Sequence, residues 1–156
     1  MLEVSRSSTT IETIYRDDAA RLWRALYAFG GDPEIASDAL VEAFAQAIRR
    51  GEAITSPAAW IWRAAFRIAS GELADRARFL PLEQDQRAAP EGADLDLVAA
   101  LGRLSPNQRA SVVLHHIGGY STRETARIIG STAGAVRVHL SMARRRLTQL
   151  LEEDDA

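Results

Sequence analysis

The chain has 156 residues, a formal net charge of −2 at pH 7 and no cysteine, which excludes a disulfide framework, a thiolate metal site and a cysteine nucleophile. No apolar run approaches the roughly 20 residues that cross a bilayer, and the N-terminus lacks the apolar stretch of a signal peptide. We therefore expect a cytoplasmic protein without membrane insertion.

Helix start and stop signals divide the first 80 residues into three segments. A capping-box pattern occupies residues 9–12, and an N-cap residue followed by proline occurs at residues 32–33 and again at residues 56–57. The third segment is expected to end near Phe79, because Pro81 disfavours α geometry in the residue before it. The pattern predicts three helices in this half of the chain.

The next segment, residues 81–94, is polar, acidic and contains proline and glycine, a composition typical of a linker. Beyond it we expect a short helix over residues 95–104, and then a helix that opens on the capping-box pattern of residues 105–108 and ends at residues 118–119. No alternation typical of strands appears. The sequence predicts an all-α fold with two small helical domains, residues 1–80 and 95–151. An acidic linker, residues 81–94, joins the domains, and an acidic tail, residues 152–156, follows the second one.

The clearest motif is a helix-turn-helix over residues 121–140, STRETARIIGSTAGAVRVHL. Ser121 and Glu124 have the spacing of a capping box. Gly130 stands where the end of a helix requires positive φ, and Thr132 can cap a second helix. Two helices joined by so short a glycine turn form the unit that places its second helix in the major groove of DNA. The motif predicts DNA binding.

Charge is distributed unevenly along the chain. Residues 97–150 hold eight arginines and one acid, whereas residues 81–96 hold five acids and one arginine, and residues 152–155 are all acidic. Clustered arginine indicates contact with phosphate, so the pattern favours a DNA-binding module over a merely solvated arginine face. The acidic tail is expected to compete with DNA for the basic face.

The second helix of the motif has one face for the core and one for DNA. With Val136 and Leu140 facing the core, a turn of about 100° per residue directs another set outward: Gly134, Arg137, Val138, Ser141 and Arg145. The fork of Arg137 can contact O6 and N7 of guanine together, and Val138 or Ala135 can touch a thymine methyl. Phosphate contacts that position the helix are expected from Ser141, Arg144, Arg145 and Arg109.

Catalytic and metal-binding patterns are lacking. His115 and His116 are adjacent, so they point to different faces of a helix, and neither they nor His139 have a carboxylate at a ligand spacing nearby. No phosphate-binding glycine loop occurs. We expect no metal, no cofactor and no enzymatic activity.

The C-terminal run from Leu104 to Leu147 resembles region 4 of bacterial sigma-70 family factors in their extracytoplasmic-function (ECF) form. The positions that carry the resemblance are Leu104, Pro106, Gln108, Arg109, Tyr120, Ser121, Ala126, Gly130, Gly134, Val136, Arg137, Leu140 and Ala143 to Leu147. The resemblance implies that this helix-turn-helix binds the −35 promoter element.

The N-terminal half is similar to region 2 of the same factors. Residues 31–50 resemble the helix that binds RNA polymerase, and residues 56–69 resemble the helix that melts the promoter at the −10 element. The matching positions are Asp32, Pro33, Asp38, Glu42 and Phe44 in the first helix, and Trp60, Trp62, Arg63, Ala65 and Ala69 in the second. The two matches occur in the family's order, with a linker between them.

The resemblance implies three sets of site residues. Polymerase would be bound by Asp38, Glu42 and Phe44, although a core role is expected for Phe44. The −10 element would be bound by Trp60, Trp62, Arg63 and Arg67, and the loop at residues 49–55 would capture a flipped base. Because the two tryptophans point about 200° apart on a helix, one of them is expected in the core. The −35 element would be bound by Thr132, Ala135, Arg137, Val138, His139, Ser141, Arg144 and Arg145, with support from Arg109, Ser121 and Arg123.

Several positions depart from the family pattern. Arg67 and Gly71 stand where the melting helix usually has asparagine and aspartate, Val41 stands where a glutamine is common, and Val138 with His139 replaces a small polar and basic pair. A sigma factor that binds polymerase core, promoter DNA and an anti-sigma factor is the first interpretation. The alternatives are a sigma-like decoy that occupies an anti-sigma factor or the polymerase without initiating, and a stand-alone helix-turn-helix regulator.

Overall fold

A computed structural model describes residues 2–79, 92 and 94–155 of the chain, and in that part it contains seven α-helices and no strand. The helices are α1 (Leu2–Gly30), α2 (Pro33–Arg50), α3 (Pro57–Phe79), α4 (Leu95–Leu101), α5 (Pro106–Val112), α6 (Thr122–Ile129) and α7 (Ala133–Asp155). A 3₁₀ turn, Gly51–Ala53, follows α2, and a π-helical turn, Val113–Ile117, extends α5. The predicted all-α fold is confirmed. The predicted linker, residues 81–94, lies outside the described residues except for Gly92 and Asp94.

Most of the predicted start signals act as caps. The Asp32 carboxylate accepts hydrogen bonds from the backbone N–H groups of Glu34 (2.8 Å) and Ile35 (3.3 Å) at the start of α2. Ser105 with Gln108 forms a reciprocal capping box before α5. Such caps satisfy backbone donors that the first helical turn leaves unpaired, and each stabilises the helix by about 1 kcal/mol.

The predicted start of the first helix is wrong. Helix α1 begins at Leu2, several residues before the capping-box pattern at residues 9–12. Residues 2–8 contain neither proline nor glycine, so nothing in the sequence forces the helix to begin later. A capping-box pattern therefore marks a helix start only where the preceding residues cannot extend the helix.

Helices α1, α2 and α3 form the N-terminal half, and α4 to α7 form the C-terminal half. The two halves share one continuous buried cluster, in which Leu22, Leu26, Ile35, Ile61, Trp62, Leu101, Val113 and Leu114 are almost completely buried. Burial of each such aliphatic side chain contributes about 1.5–3 kcal/mol relative to exposure. Contacts join α3 to α6, and α1 to both α4 and the π-helical turn. The halves therefore pack directly on each other.

The long helix α7 carries an apolar stripe that includes Val136 and Leu140, the two residues expected to face the core. Val136, Ala143 and Leu150 are buried, and Leu140 and Leu147 are half-buried between them. The helix continues to Asp155, so the acidic tail prolongs it instead of folding back over Arg137. None of the described helices combines the length and the apolar character that membrane crossing requires.

Candidate nucleic-acid interface

The helix-turn-helix is built as its sequence predicts. Ser121 accepts a hydrogen bond from the N–H of Glu124 (3.1 Å), and the Glu124 carboxylate accepts one from the N–H of Ser121 (3.1 Å). The hydrogen bond from the Ser121 N–H to the carboxylate, reinforced by the Ser121 side chain, holds the pKa of Glu124 below its usual value. Helix α6 ends at Gly130, whose φ of 71° and ψ of 40° are left-handed, and the Gly130 N–H bonds to the carbonyl of Ala126. Thr132 then accepts from the N–H of Ala135 (3.1 Å) and starts α7.

The predicted outward face of α7 lies in solvent. All five of its residues are exposed: Gly134, Arg137, Val138, Ser141 and Arg145. Of the other predicted −35 residues on α7, Arg144 is exposed, whereas Ala135 and His139 are half-buried. Among the residues that the structure describes, none forms an ion pair with Arg137, Arg144 or Arg145. This face is therefore electropositive, with an exposed valine beside its arginines, and it can meet both phosphates and a thymine methyl. DNA contact by these residues stays a prediction.

Ser121 and Arg123 lie at the start of α6. The Ser121 hydroxyl accepts the capping hydrogen bond from the N–H of Glu124. Arg123 is the second residue of the helix and is exposed. Both residues are compatible with the predicted supporting role, because a helix N-terminus attracts anions.

Arg109 is the first predicted site residue that the structure places elsewhere. Its Nη1 donates to the carbonyl of Phe29 at 3.0 Å, its Nη2 donates to the carbonyl of Leu104 at 3.2 Å, and its guanidinium lies 5.6 Å from the centre of the Phe29 ring. Burial lowers the pKa of Arg109. The predicted phosphate contact is wrong for this arrangement, because the donors that would meet a phosphate bind backbone carbonyls.

Trp62 is the second such residue. It is completely buried, its Nε1 donates to Asp18 Oδ2 at 2.7 Å, and the edge-on ring of Tyr120 lies 5.2 Å away, centre to centre. The predicted contact of Trp62 with melted DNA is therefore wrong, and the expectation that one tryptophan of the pair belongs to the core is confirmed. Trp60 is half-buried, with the Arg50 guanidinium 5.7 Å from its ring centre.

The remaining −10 candidates line grooves between α3 and α6. Trp60 and Arg63 line a groove of about 450 Å³ whose other walls include residues 53–56, Tyr120, Glu124 and Arg127. Arg63 and Arg67 line a second groove, of about 300 Å³, against Ile129 and Gly130 of the helix-turn-helix. The structure thus brings Trp60, Arg63 and Arg67 onto one face of α3, and that face is turned toward α6.

The predicted polymerase-binding residues lie on α2. Asp38 and Glu42 are exposed one turn apart. Glu42 accepts hydrogen bonds from Gln46 (3.0 Å) and Arg49 (3.1 Å), which lower its pKa. Phe44 is buried, with its ring centre 5.0 Å from that of Tyr15, which fits its expected core role, and its contact with polymerase stays a prediction.

The sequence patterns did not predict an apolar cleft that lies beside these acids. Val41 is 63% exposed and Ile48 is 58% exposed, and with Tyr15 they line a cleft whose floor is Phe44. The sequence does contain a signal for this cleft, because Val41 and Ile48 are large apolar residues seven positions apart on α2 and lie outside its buried stripe. Exposed apolar patches rimmed by charge are typical of protein-binding surfaces.

The histidines form no metal site with other residues: in the described parts of the chain no group of three or more histidine, cysteine, aspartate or glutamate side chains could hold a metal ion. His115 instead approaches the carbonyl of Tyr120 through Nδ1 at 2.8 Å. Burial, together with the charges of His115 and Arg144, lowers the pKa of His116.

Known proteins share both the sequence pattern and the fold. The family model described as Sigma-70, region 4, matches residues 94–147. The chain is 32% identical over 162 aligned positions to the ECF RNA polymerase sigma factor SigL of Mycobacterium tuberculosis, covering 92% of this chain and 89% of SigL. It is 28% identical over 159 positions to the ECF RNA polymerase sigma factor BldN of Streptomyces coelicolor, covering 90% of this chain and 60% of BldN, so it spans less than two thirds of that relative.

Among solved structures, the sigma factor RpoE in its complex with the anti-sigma factor NepR from Bartonella quintana has a TM-score of 0.76 at 22% identity, covering 90% of this chain and 96% of RpoE. At that identity the likeness establishes the fold. The family follows from SigL, which is more than 30% identical and is matched over most of its length. The chain belongs to the ECF RNA polymerase sigma factor family.

Proposed function

We propose that this protein binds RNA polymerase core and directs it to promoters whose −35 element is bound by α7. The observation that carries the proposal is the exposed face of α7, where Arg137, Val138, Ser141 and Arg145 stand beside a correctly capped helix-turn-helix. An arginine fork, a valine and a hydroxyl on one helix face suit base edges, thymine methyls and phosphates, respectively. Residues 95–151 form the domain that binds this element.

Residues 1–80 form the second domain, which binds the polymerase and the −10 element. On α2, the exposed acids Asp38 and Glu42 and the cleft of Tyr15, Val41 and Ile48 suit a helical surface that combines basic and apolar side chains. Complementary charge there raises the rate of encounter and fixes the register, while apolar contact contributes affinity. On α3, Trp60 can stack on an unpaired base, and Arg63 and Arg67 can contact the backbone of the same strand.

The protein acts as a binding subunit, without catalysis of its own, in the cytoplasm where polymerase and promoters are found. Its activity is held in check by an anti-sigma factor, as the complex of RpoE with NepR suggests for a protein of this fold.

Transcription by purified bacterial core polymerase, with and without this protein, on a fragmented library of genomic DNA tests the proposal. New start sites that share an upstream motif are expected. Arg137→Ala should remove the preference for that motif by about 1–3 kcal/mol per lost bidentate contact. Arg103→Ala, an exposed arginine outside the helix-turn-helix, should leave it unchanged. If the protein binds core but no new start sites appear, the interpretation as a sigma factor is wrong, and the protein is a sigma-like decoy.

A further inference from the structure

Two large apolar side chains stand exposed on α7, four residues apart. Val138 is 56% exposed and Met142 is 49% exposed. Residues four apart on a helix are neighbours, with their Cβ atoms about 5–6 Å from each other. The two side chains therefore form one apolar surface, which we call the valine–methionine pair.

The valine–methionine pair lies opposite the buried side of α7. At about 100° per residue, Val138 is about 140–200° around the helix axis from the residues of the apolar stripe. Those residues are Val136, Leu140, Ala143 and Leu147, all of them buried or half-buried. Met142 lies about 40° further round from Val138. The pair therefore occupies the part of α7 that points away from the protein, and it is not an extension of the core.

The surroundings of the pair are positively charged. Arg145 is exposed about 20° to one side of Val138, and Arg146 is half-buried about 40° beyond Met142. Residues 133–151 of α7 contain no acidic side chain. An apolar protein surface that covered the pair would also have to cover these arginines, whereas a DNA duplex offers phosphates beside its groove and methyl groups inside it. Charge complementarity therefore favours DNA as the occupant.

DNA presents one apolar group to a helix in its major groove, the C5 methyl of thymine. Successive base pairs are about 3.4 Å apart along the duplex, so methyl groups one or two base pairs apart match the spacing of the pair. Val138 is β-branched and has essentially one side-chain rotamer in a helix, so it meets a methyl at little cost in entropy. Met142 is flexible and polarizable, and it can adapt to a second methyl. Cytosine has no methyl and presents an amino donor that a valine cannot accept.

We propose that the valine–methionine pair reads the methyl groups of two thymines in the −35 element, one or two base pairs apart. This inference rests on the proposed function and deepens it, because it names bases that the protein selects. The contact of Val138 with one methyl becomes half of a paired contact, and Met142 is a further specificity-determining residue.

The experiment removes single methyl groups from the DNA. The holoenzyme, formed from this protein and core polymerase, is given a promoter found in the transcription assay, with deoxyuridine in place of one thymine of the −35 element at a time. Deoxyuridine pairs with adenine as thymine does and lacks only the C5 methyl. Burial of one methyl is worth about as much as burial of one methylene group, so replacement at each of two thymines should lower the affinity of the holoenzyme about fourfold. Competition against the unmodified promoter measures this loss, and deoxyuridine between the −35 and −10 elements should cause none.

Truncation of each side chain identifies the methyl that it contacts. In Val138→Ala, deoxyuridine should no longer lower the affinity at one of the two positions, and in Met142→Ala it should no longer do so at the other. Alanine is the best helix former and both positions are exposed, so the variants keep the fold. The control, Leu151→Ala, shortens another exposed apolar side chain of α7, about 20 Å along the axis from Val138. It should keep the full sensitivity to both methyl groups.

A holoenzyme that binds every deoxyuridine promoter as tightly as the unmodified promoter would overturn the proposal. So would a methyl effect that persists unchanged when Val138→Ala and Met142→Ala are combined. If methyl removal has no effect and that double variant binds core polymerase more weakly than the Leu151→Ala control, the pair contacts protein and the proposal is wrong. Absence of new start sites altogether removes the proposed function itself, whereas start sites without sensitivity to the methyl groups defeat only this inference.

Discussion

Ile48 allows a residue-scale test of the apolar cleft on α2. It is 58% exposed beside Val41 and Tyr15, and burial of its side chain against a partner is worth about 1–2 kcal/mol. Ile48→Ser should therefore weaken binding to core polymerase about fivefold to thirtyfold, measured by titration of labelled protein with core. Leu95→Ser removes an equally exposed side chain, also 58%, from a helix outside the cleft and is the control. Equal losses in the two variants would show that the cleft makes no contact with polymerase.

The ionisation of the Tyr120 phenol allows a second test of a single residue. Burial, reinforced by the charge of Asp18 and opposed by Arg21, raises the pKa of Tyr120 to about 12 from the ordinary 10.0. Because the folded pKa is the higher one, the neutral phenol stabilises the folded state fully below pH 10, and that contribution is lost as the pH rises from 10 to 12. At pH 11 about a tenth of Tyr120 should be ionised, against about nine tenths for an ordinary tyrosine.

The difference in absorbance at 295 nm between the unsubstituted protein and Tyr120→Phe isolates this one phenol during the titration. Circular dichroism recorded at each pH establishes that both proteins are still folded. A difference signal with its midpoint near pH 10 in the folded protein would mean that Tyr120 is solvated, and hence that it does not pack against Trp62 in solution.

The turn of the helix-turn-helix can be tested at the scale of the element. Gly130 has a φ of 71°, and a Cβ added there meets no atom within 4 Å, so Gly130→Ala introduces conformational strain without a clash. It should lower the free energy of unfolding by about 1–2 kcal/mol. Gly134 lies in the first turn of α7, with open space around it and no positive φ, so Gly134→Ala should raise the same quantity by about 0.5–1 kcal/mol.

Urea unfolding followed by circular dichroism measures both glycine variants against the parent. The opposite signs are the test, because the two substitutions add the same methyl group. A gain in stability for Gly130→Ala would mean that the end of α6 is not left-handed in solution.

Within single helices, the sequence could predict those features that depend on residues close together in the chain. The caps at Asp32, Ser105 and Ser121 depend on groups no more than three residues apart, so the pattern alone identifies them. The apolar stripe of α7 follows from helix periodicity in the same way. The start of α1 was predicted wrongly because the residues of a capping-box pattern can also lie inside a helix that began earlier.

At the scale of the whole molecule, two residues show where sequence reasoning ends. Arg109 matches the family pattern, yet its Nη1 donates to the carbonyl of Phe29, 80 positions away. Trp62 bonds to Asp18, 44 positions away, and packs against Tyr120. These partners lie on other helices or turns, in the same half of the molecule for Asp18 and in the other half for Phe29 and Tyr120, and no spacing within one helix encodes such packing. The positions of the exposed residues on α7 needed only the helix period, and they were predicted correctly.

The acidic tail, residues 152–156, can be tested through the distance over which its negative charge affects DNA binding. Helix α7 continues to Asp155, so Glu152 lies about 22 Å along the axis from Arg137 and about 10 Å from Arg145. The tail thus acts on DNA through its field, which is screened over about 8 Å at 0.15 M salt and about 30 Å at 0.01 M. Deleting residues 152–156 should tighten binding to a random duplex a few fold at 0.01 M salt and hardly at all at 0.3 M.

Fluorescence anisotropy of a labelled duplex across that range of salt measures the effect. Glu152→Gln with Glu153→Gln, which neutralises two exposed side chains and preserves the length of the helix, should give about half of the gain in binding free energy. A tail that lay directly on the recognition arginines would be screened far less by salt. An equal gain at 0.01 M and 0.3 M would therefore show that the end of α7 unwinds and folds back over the face that binds DNA.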